Sequence, residues 1–423
     1  MRWYRFPEFV VTLHRFSKII GIMVKENSKV FLLILLGMLT AFGPFVTDMY
    51  LPSLPSMGGY FHTTSSMVQL GLTTSMIGLA VGQVFFGPLS DRYGRRLPLL
   101  VAMWLFIAST LLCLFSRSIE QFVAFRLLQG IAGAGGIVIS RSIATDKYAG
   151  RELAKMLAVI GAINGVAPVA APIVGGLLTD LIGWQGIFWV LFGLGILLLA
   201  GCLRFRESLP REQCSAERWS DTFRSFGTVL RDRRYVCYVL QMAFAQGVLF
   251  ANIASSPFIV QQHYGFSAFA FSLCFGVNAL AIGVAAALSV KFHRPESCTL
   301  TGCCGMAIVS VLQCVALMSG CNFWLYEVLM LLLLFNMGMT FTSSTALAME
   351  SQRENSGTAS ALLGAVCFAA GGIVSPLVGM GNILSSTGIV FVVCAFCSLV
   401  CILVALGRRR TRLYFAFSTS QKR

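Results

Sequence analysis

Charge is scarce in this sequence of 423 residues. Asp, Glu, Lys and Arg together make up 12% of it, about half the roughly 25% of a soluble domain. With 57% hydrophobic residues and a mean hydropathy of +0.78, such a chain cannot cover itself with a solvated surface. It reads as an integral membrane protein. Histidine is scarce, at four residues, and no H-E-x-x-H stretch is present, which removes support for zinc hydrolysis. The absence of G-x-x-x-x-G-K-[ST] does the same for ATP drive. No constellation of nucleophile, base and orienting group is visible, so neither an enzyme nor a cofactor is expected. The 14 cysteines do not form a disulfide framework, because most lie inside apolar runs (Cys113, Cys202, Cys274, Cys394, Cys397, Cys401) and act there as small hydrophobes. Cys298, Cys303 and Cys304 cluster at the opening of an apolar run, where filling space is favoured over binding a metal. A net charge of +15 would suit nucleic acid if it formed one face, but the basic residues fall between apolar runs, and nucleic-acid binding is not expected.

What is there, instead, is apolar length. A spanning helix needs about 20 apolar residues, and windows of that size centre near 41, 78, 107, 133, 167, 194, 246, 280, 308, 335, 369 and 396. The fold class is therefore all-α and membrane-integral, with twelve transmembrane helices. Of the 32 Lys and Arg, 30 fall in loops and ends on one side of this arrangement, against Arg117 on the other side and Arg126 within a span. By the positive-inside rule both termini are cytoplasmic. The organisation follows: a cytoplasmic amino-terminal segment over 1–29, six spans over 30–204, a basic linker over 205–235, six spans over 236–407 and a cytoplasmic tail over 408–423. Residues 1–29 carry six basic residues and read either as an interfacial amphipathic segment or, preferably, as a stretch ahead of a start at Met23. They do not read as a signal peptide.

Equal span numbers around a basic linker invite a search for repetition. "APIVGG" from Ala171 returns as "SPLVG" from Ser375, an offset near 200. "LAVGQVFFGPLSDR" is echoed by "LAIGVAAALSVKFHR", in which the acid is lost. Between spans two and three the chain interrupts its apolar runs with "GPLSDRYGRR", residues 87–96. Gly87 and Pro88 end a span, Asp91 suits a helix amino terminus, and Gly94 permits a tight turn. Arg92, Arg95 and Arg96 would meet anionic lipid headgroups.

This stretch resembles the signature of the major facilitator superfamily, G-x-x-x-D-[RK]-x-G-[RK]-[RK], through Gly87, Asp91, Arg92, Gly94, Arg95 and Arg96. "TDMYLPSLP" (47–55), "FRLLQGIAGAGG" (125–136), "APVAAPIVGG" (167–176), the segment 255–283 and "GTASALLG" (357–364) are similar to the bicyclomycin and chloramphenicol resistance subfamily of twelve-span drug:proton antiporters. The resemblance covers about residues 30–407. It departs from that subfamily in span five, where Ala171-Pro172 stands for the usual Gly-Pro. It implies two six-helix halves rocking about a central site, the 87–96 loop as a gate, and proton coupling by Asp48 and Arg126. The function implied is proton-coupled efflux of small amphiphilic molecules across a bacterial inner membrane. A proton-coupled metabolite transporter, for an amino acid or peptide, is the alternative.

Asp48 stands out from the residues themselves, since a carboxylate inside a span costs a few kcal/mol and is rarely kept without a partner or a task. It lies about 18 residues, roughly 27 Å, above the start of span one, and Arg126 about six residues, roughly 9 Å, below the outer end of span four. Both fall in the outer half of the bilayer, where a long Arg side chain can close the gap. Three roles stay open for Asp48: proton carrier, static buried partner of Arg126, or cap beside Pro52 and Pro55. Pro168, Pro172, Gly175 and Gly176 in span five suit close helix packing, as do the glycines of span four. Tyr50, Gln129, Asn164, Gln246, Asn252, Asn278 and Asn336 are candidates to line a substrate cavity, with interhelical hydrogen bonding as the competing role for the amides. Glu327 reads as interfacial, with coupling as the alternative. The expected partners are a small-molecule substrate, protons and anionic lipids, and the chain is expected to act as a monomer.

Overall fold

In bilayer hydrocarbon a backbone must satisfy its own hydrogen bonds, and this chain does so with helices. The computed structural model describes residues 27–420 except 149, 211, 213–218, 293 and 353–355. The segment expected ahead of Met23 therefore lies outside the described residues. Ten spans are separate helical stretches: Lys29–Tyr60, Ser65–Tyr93, Arg96–Leu114, Ile119–Lys147, Arg233–His263, Ala268–Ser289, Pro295–Met318, Phe323–Glu350, Thr358–Val378 and Ile383–Gly407. These are spans one to four and seven to twelve. Spans five and six share the helical stretch Gly150–Arg204, broken only at Gly183, whose φ of 74° no ordinary side chain adopts without strain. Within the stretch read as linker, Trp219–Arg231 forms a further helix.

The starts of the spans are written locally. Ser28, Thr64, Ser118, Asp232, Ser267 and Asn322 each cap a helix, their side-chain oxygens accepting from a backbone N–H two or three residues on. These caps sharpen the repeat. Ser28 and Asp232 are 204 apart, Ser118 and Asn322 are 204 apart, and so are Ala171 and Ser375. Packing repeats as well. Span two lies on four as eight on ten, three on four as nine on ten, and one on four as seven on ten. The same register sets Asn252 opposite Asp48, and Met330 opposite Arg126.

The two halves meet along two seams, span two against eleven and span five against eight. Hydrogen bonds between the halves lie at the end away from the basic loops. Ser66 Oγ donates to the Gly379 carbonyl (2.6 Å), Gln69 Nε2 to Ala254 (3.1 Å) and Gln261 Nε2 to Pro52 (2.9 Å), while the Phe269 N–H donates to Asp180 (3.3 Å). At the basic end, Gly161 and Gly165 of span five and Gly283 of span eight face open space.

Candidate functional site

Span one ends its regular helix at Asp48, then tightens into a 3-10 turn at Leu51–Ser53 before Leu54–Tyr60. Pro52 and Pro55 begin these two short elements, and the break leaves Asp48 at a helix end inside the protein. Its carboxyl is 6% exposed and accepts a hydrogen bond from Thr47 Oγ1 at 2.7 Å.

Arg126, fully buried in span four, does not form the ion pair with Asp48 that the sequence suggested. Its guanidinium donates to the carbonyls of Val46 (2.9 Å) and Gly71 (3.4 Å) and to Gln129 Oε1. It also lies over the ring of Tyr50, 4.2 Å from the centroid, with Phe188 at 5.9 Å. Gln129 passes the chain of bonds on to Thr110 of span three (2.8 Å). Arg126 is thus solvated by neutral groups from spans one, two and four, with an aromatic face beneath it. Val46 is two residues from Asp48, so both charged groups do share one level of the amino-terminal half.

Close approach of helices builds this level. A Cβ on Gly130 would lie 2.2 Å from the Ser75 carbonyl oxygen, and one on Gly78 2.3 Å from that of Leu127, so spans two and four touch backbone to backbone. Gly175 faces the Met49 carbonyl oxygen in the same way, at 1.8 Å, and Gly176 faces Ser272 across the seam between halves. Pro168 and Pro172 lie inside the helix of span five.

The structure redistributes the expected cavity residues. Tyr50 and Gln129 are spent on Arg126, inside the amino-terminal half. Asn278 donates to Glu327 at 3.0 Å, between spans eight and ten. Asn336 bonds the Leu332 carbonyl of its own helix and fills the space beside Gly305 of span nine. Orphaned polar atoms remain on Tyr50, on Asn278 and on Gln246 and Asn252 of span seven. Gln246 Oε1 and both polar atoms of Asn252 are buried without a hydrogen-bond partner among the described residues. The side chain of Asn164 lies outside those described.

The 87–96 stretch stays helical to Tyr93 with Pro88 inside the helix, so Gly87 and Pro88 do not end span two as expected, and its charges too are arranged otherwise than expected. Gly94, at φ 82°, turns the chain, and the backbone N–H groups of Arg95 and Arg96 then donate to Glu207 (2.8 and 3.0 Å). Glu207, from beyond span six, therefore takes the helix-end position foreseen for Asp91. Asp91 pairs with the Arg95 guanidinium, which also bonds Ser90 Oγ (2.9 Å) and forks onto Asp146 (2.8 and 3.2 Å). Arg95 is buried in this cluster, not set in headgroups. Burial works against its charge, but the hydrogen bonds to Asp146 and Asp91 hold its pKa above the ordinary value. Arg92 stays exposed, and Arg96 Nη2 bonds the Leu203 carbonyl (2.8 Å). Asp146 and Glu207 were not singled out in the sequence. The signal was present, since both are acids in otherwise basic loops.

This clasp joins the ends of spans two, three, four and six. Glu207→Gln replaces a carboxylate at a helix amino terminus by an amide, and should lower stability by about 1 kcal/mol. Gly94→Ala should cost more, because its Cβ would strain φ and approach Glu207 Oε2 to 2.6 Å. Thermal unfolding in detergent checks both.

Comparison with known proteins fits this geometry. Residues 33–376 match the model of the Major Facilitator Superfamily. The chain belongs to the major facilitator superfamily. Among relatives of this superfamily, it is 39% identical over 82% of its length to the uncharacterized MFS-type transporter YdgK of Bacillus subtilis, covering 88% of that protein. It is 29% identical to the bicyclomycin resistance protein homolog of Haemophilus influenzae, covering 84% of this chain and 90% of that one. Against multidrug resistance protein D of Escherichia coli the identity is 26%, over 88% and 96%. A solved D-xylose-proton symporter shares the fold with a TM-score of 0.69 at 17% identity, over 89% of this chain and 97% of that one. The protein is thus a multi-pass secondary transporter for small molecules, with the twelve-helix major facilitator fold and not an enzyme's architecture.

Proposed function

We propose that the protein exports small, amphiphilic, drug-like molecules in exchange for protons. It would do so as a monomer in a bacterial inner membrane, both termini cytoplasmic and Arg92 against anionic lipid. The observation that carries this reading is the placement of Asp48. It is a carboxyl buried within a candidate membrane span, bonded to Thr47 but not to the nearby guanidinium. A carboxyl tied to no fixed cation is free to take a proton from one side and give it to the other. Arg126, already solvated by neutral groups, supplies a standing positive field nearby.

Efflux follows if proton and substrate compete for one site while the halves rock. In the present conformation the hydrogen bonds between the halves lie at the end away from the basic loops, which supports a site open towards the cytoplasm. Buried Asn252 and half-buried Gln246, each with unmet hydrogen-bonding capacity, are the amides best suited to a substrate's polar groups. The names of the relatives, which include bicyclomycin and multidrug resistance proteins, support a drug over a metabolite. Inside-out vesicles holding a pH gradient test the proposal. Bicyclomycin, chloramphenicol and other amphiphiles, added in turn, should collapse the gradient in proportion to transporter content. A response to amino acids or peptides alone would refute drug export.

A further inference from the structure

Asp48 and Glu327 are the buried carboxyls of the described residues, 6% and 8% exposed, and the proposed exchange uses only the first. Glu327 was expected near an interface because it lies in the first turns of span ten. It is instead covered. Span eight lies on one side, and Tyr326 lies beside it, itself packed on Tyr264 with ring centroids 5.7 Å apart.

The ionisable groups around it are all neutral-type. Span eight brings Cys274, and the turns before spans eight and ten bring Tyr264 and Cys321, hydrogen-bonded to each other through the Cys321 carbonyl at 3.0 Å. His263 is exposed and stacks edge-on against the Tyr264 ring, with ring centroids 4.8 Å apart. Span nine contributes Cys314 at this level, and span seven has no ionisable side chain between Tyr238 and His263. None of the ion pairs among the described residues includes Glu327.

The hydrogen bonding of Asn278 is half complete. Its Nδ2 donates to Glu327 Oε1 at 3.0 Å, but its Oδ1 is buried without a partner. An amide facing a carboxyl offers a donor to one oxygen and an acceptor to the other. A carboxylate can use only the donor and leaves the buried acceptor orphaned, which disfavours the charged form of the pair. A carboxylic acid uses both: Nδ2–H to one oxygen, and O–H from the other to Oδ1.

The geometry points to Glu327 and Asn278 as a second, exchangeable proton-binding site, in which the acid is protonated and locked to the amide in this conformation. It places a proton in the half whose counterparts of Asp48 and Arg126 are the uncharged Asn252 and Met330. It also ties proton occupancy to the contact between spans eight and ten. Ionisation removes the O–H bond and leaves two buried acceptors, so loss of the proton loosens that contact. The proposal rests on the fold, and holds whichever substrate is carried.

Infrared spectroscopy of the purified full-length protein in detergent, without substrate, tests it. The difference spectrum of wild type minus Glu327→Gln at neutral pH should contain the carbonyl stretch of a protonated carboxyl. That band should shift in Asn278→Leu, where the amide is gone, and give way to carboxylate bands on alkalinisation. Glu327→Gln has the shape of the protonated acid and should keep the thermal midpoint. Glu327→Asp, shorter but still an acid, should restore a protonated carboxyl at another frequency. A neutral-pH difference spectrum holding only carboxylate bands would overturn the proposal, and so would a protonated band that no alkaline pH removes. Repeating the measurement in an Asp48→Asn background should leave the Glu327 band unchanged, so the result stands apart from the outcome of the drug experiments.

Discussion

Asp48→Asn is expected to lower proton-driven transport at least about 100-fold, equivalent to about 3 kcal/mol, with no comparable loss of protein from the membrane. The substitution is close to isosteric, and the amide oxygen can still accept from Thr47, which now reaches Asp48 at 2.7 Å. Nor does it remove an ion pair, since Arg126 is held by Val46, Gly71, Gln129 and the Tyr50 ring. The repeat supplies a further reason to expect normal folding, because an asparagine, Asn252, already occupies the equivalent register of span seven. What the amide cannot do is carry a proton. Uphill flux in a pH gradient should therefore vanish, while exchange of labelled for unlabelled substrate, which needs no net proton movement, should persist. If Asp48 only braces the helices, the pattern reverses: stability falls and the ratio of uphill flux to exchange stays constant. Measuring both fluxes in the same vesicles separates the two roles.

Span number and membrane class were legible in the sequence because they depend on apolar length, which survives any rotation of the helices. The basic loops were legible for the same reason. Side-chain pairing was not. Distances along two helices put Asp48 and Arg126 at similar depth, yet depth says nothing about which way a guanidinium turns. Neutral carbonyls and Tyr50 won it. Gln129, Asn278 and Asn336 show the same limit, since an amide in a span looks alike whether it faces a cavity or a neighbouring helix. Asp146 and Glu207 meet Arg95 and Arg96 from 51 and more than 100 positions away, beyond the reach of any local motif. Glu327 shows that limit too, since nearness to a helix end implies exposure only where nothing covers that end, and here Tyr326, Tyr264 and span eight do.

The second large effect is expected at Gly175, where the sequence suggested close packing and the structure gives its partner. An added Cβ would lie 1.8 Å from the Met49 carbonyl oxygen and 2.8 Å from its carbon, and backbone has no rotamer by which to yield. Gly175→Ala must therefore push span five from span one by about 1 Å or more, at about 1–3 kcal/mol as for other overpacked cores. Gly165→Ala, one span-five position with nothing within 4 Å, provides the comparison and should gain about 0.5–1 kcal/mol from helix propensity with flux retained. Thermal midpoints in detergent check the difference in stability. The functional signature is more specific. Met49 is the next residue after Asp48, so moving its carbonyl moves the carboxyl and the 3-10 turn that follows. A displaced site binds neither proton nor substrate well, and Gly175→Ala is expected to lower uphill flux and exchange together, by about 10-fold or more for a displacement of this size. Asp48→Asn spares exchange. Gly175→Ala with exchange intact would mean that the contact between spans one and five serves folding alone and leaves the geometry of the coupling site to other neighbours.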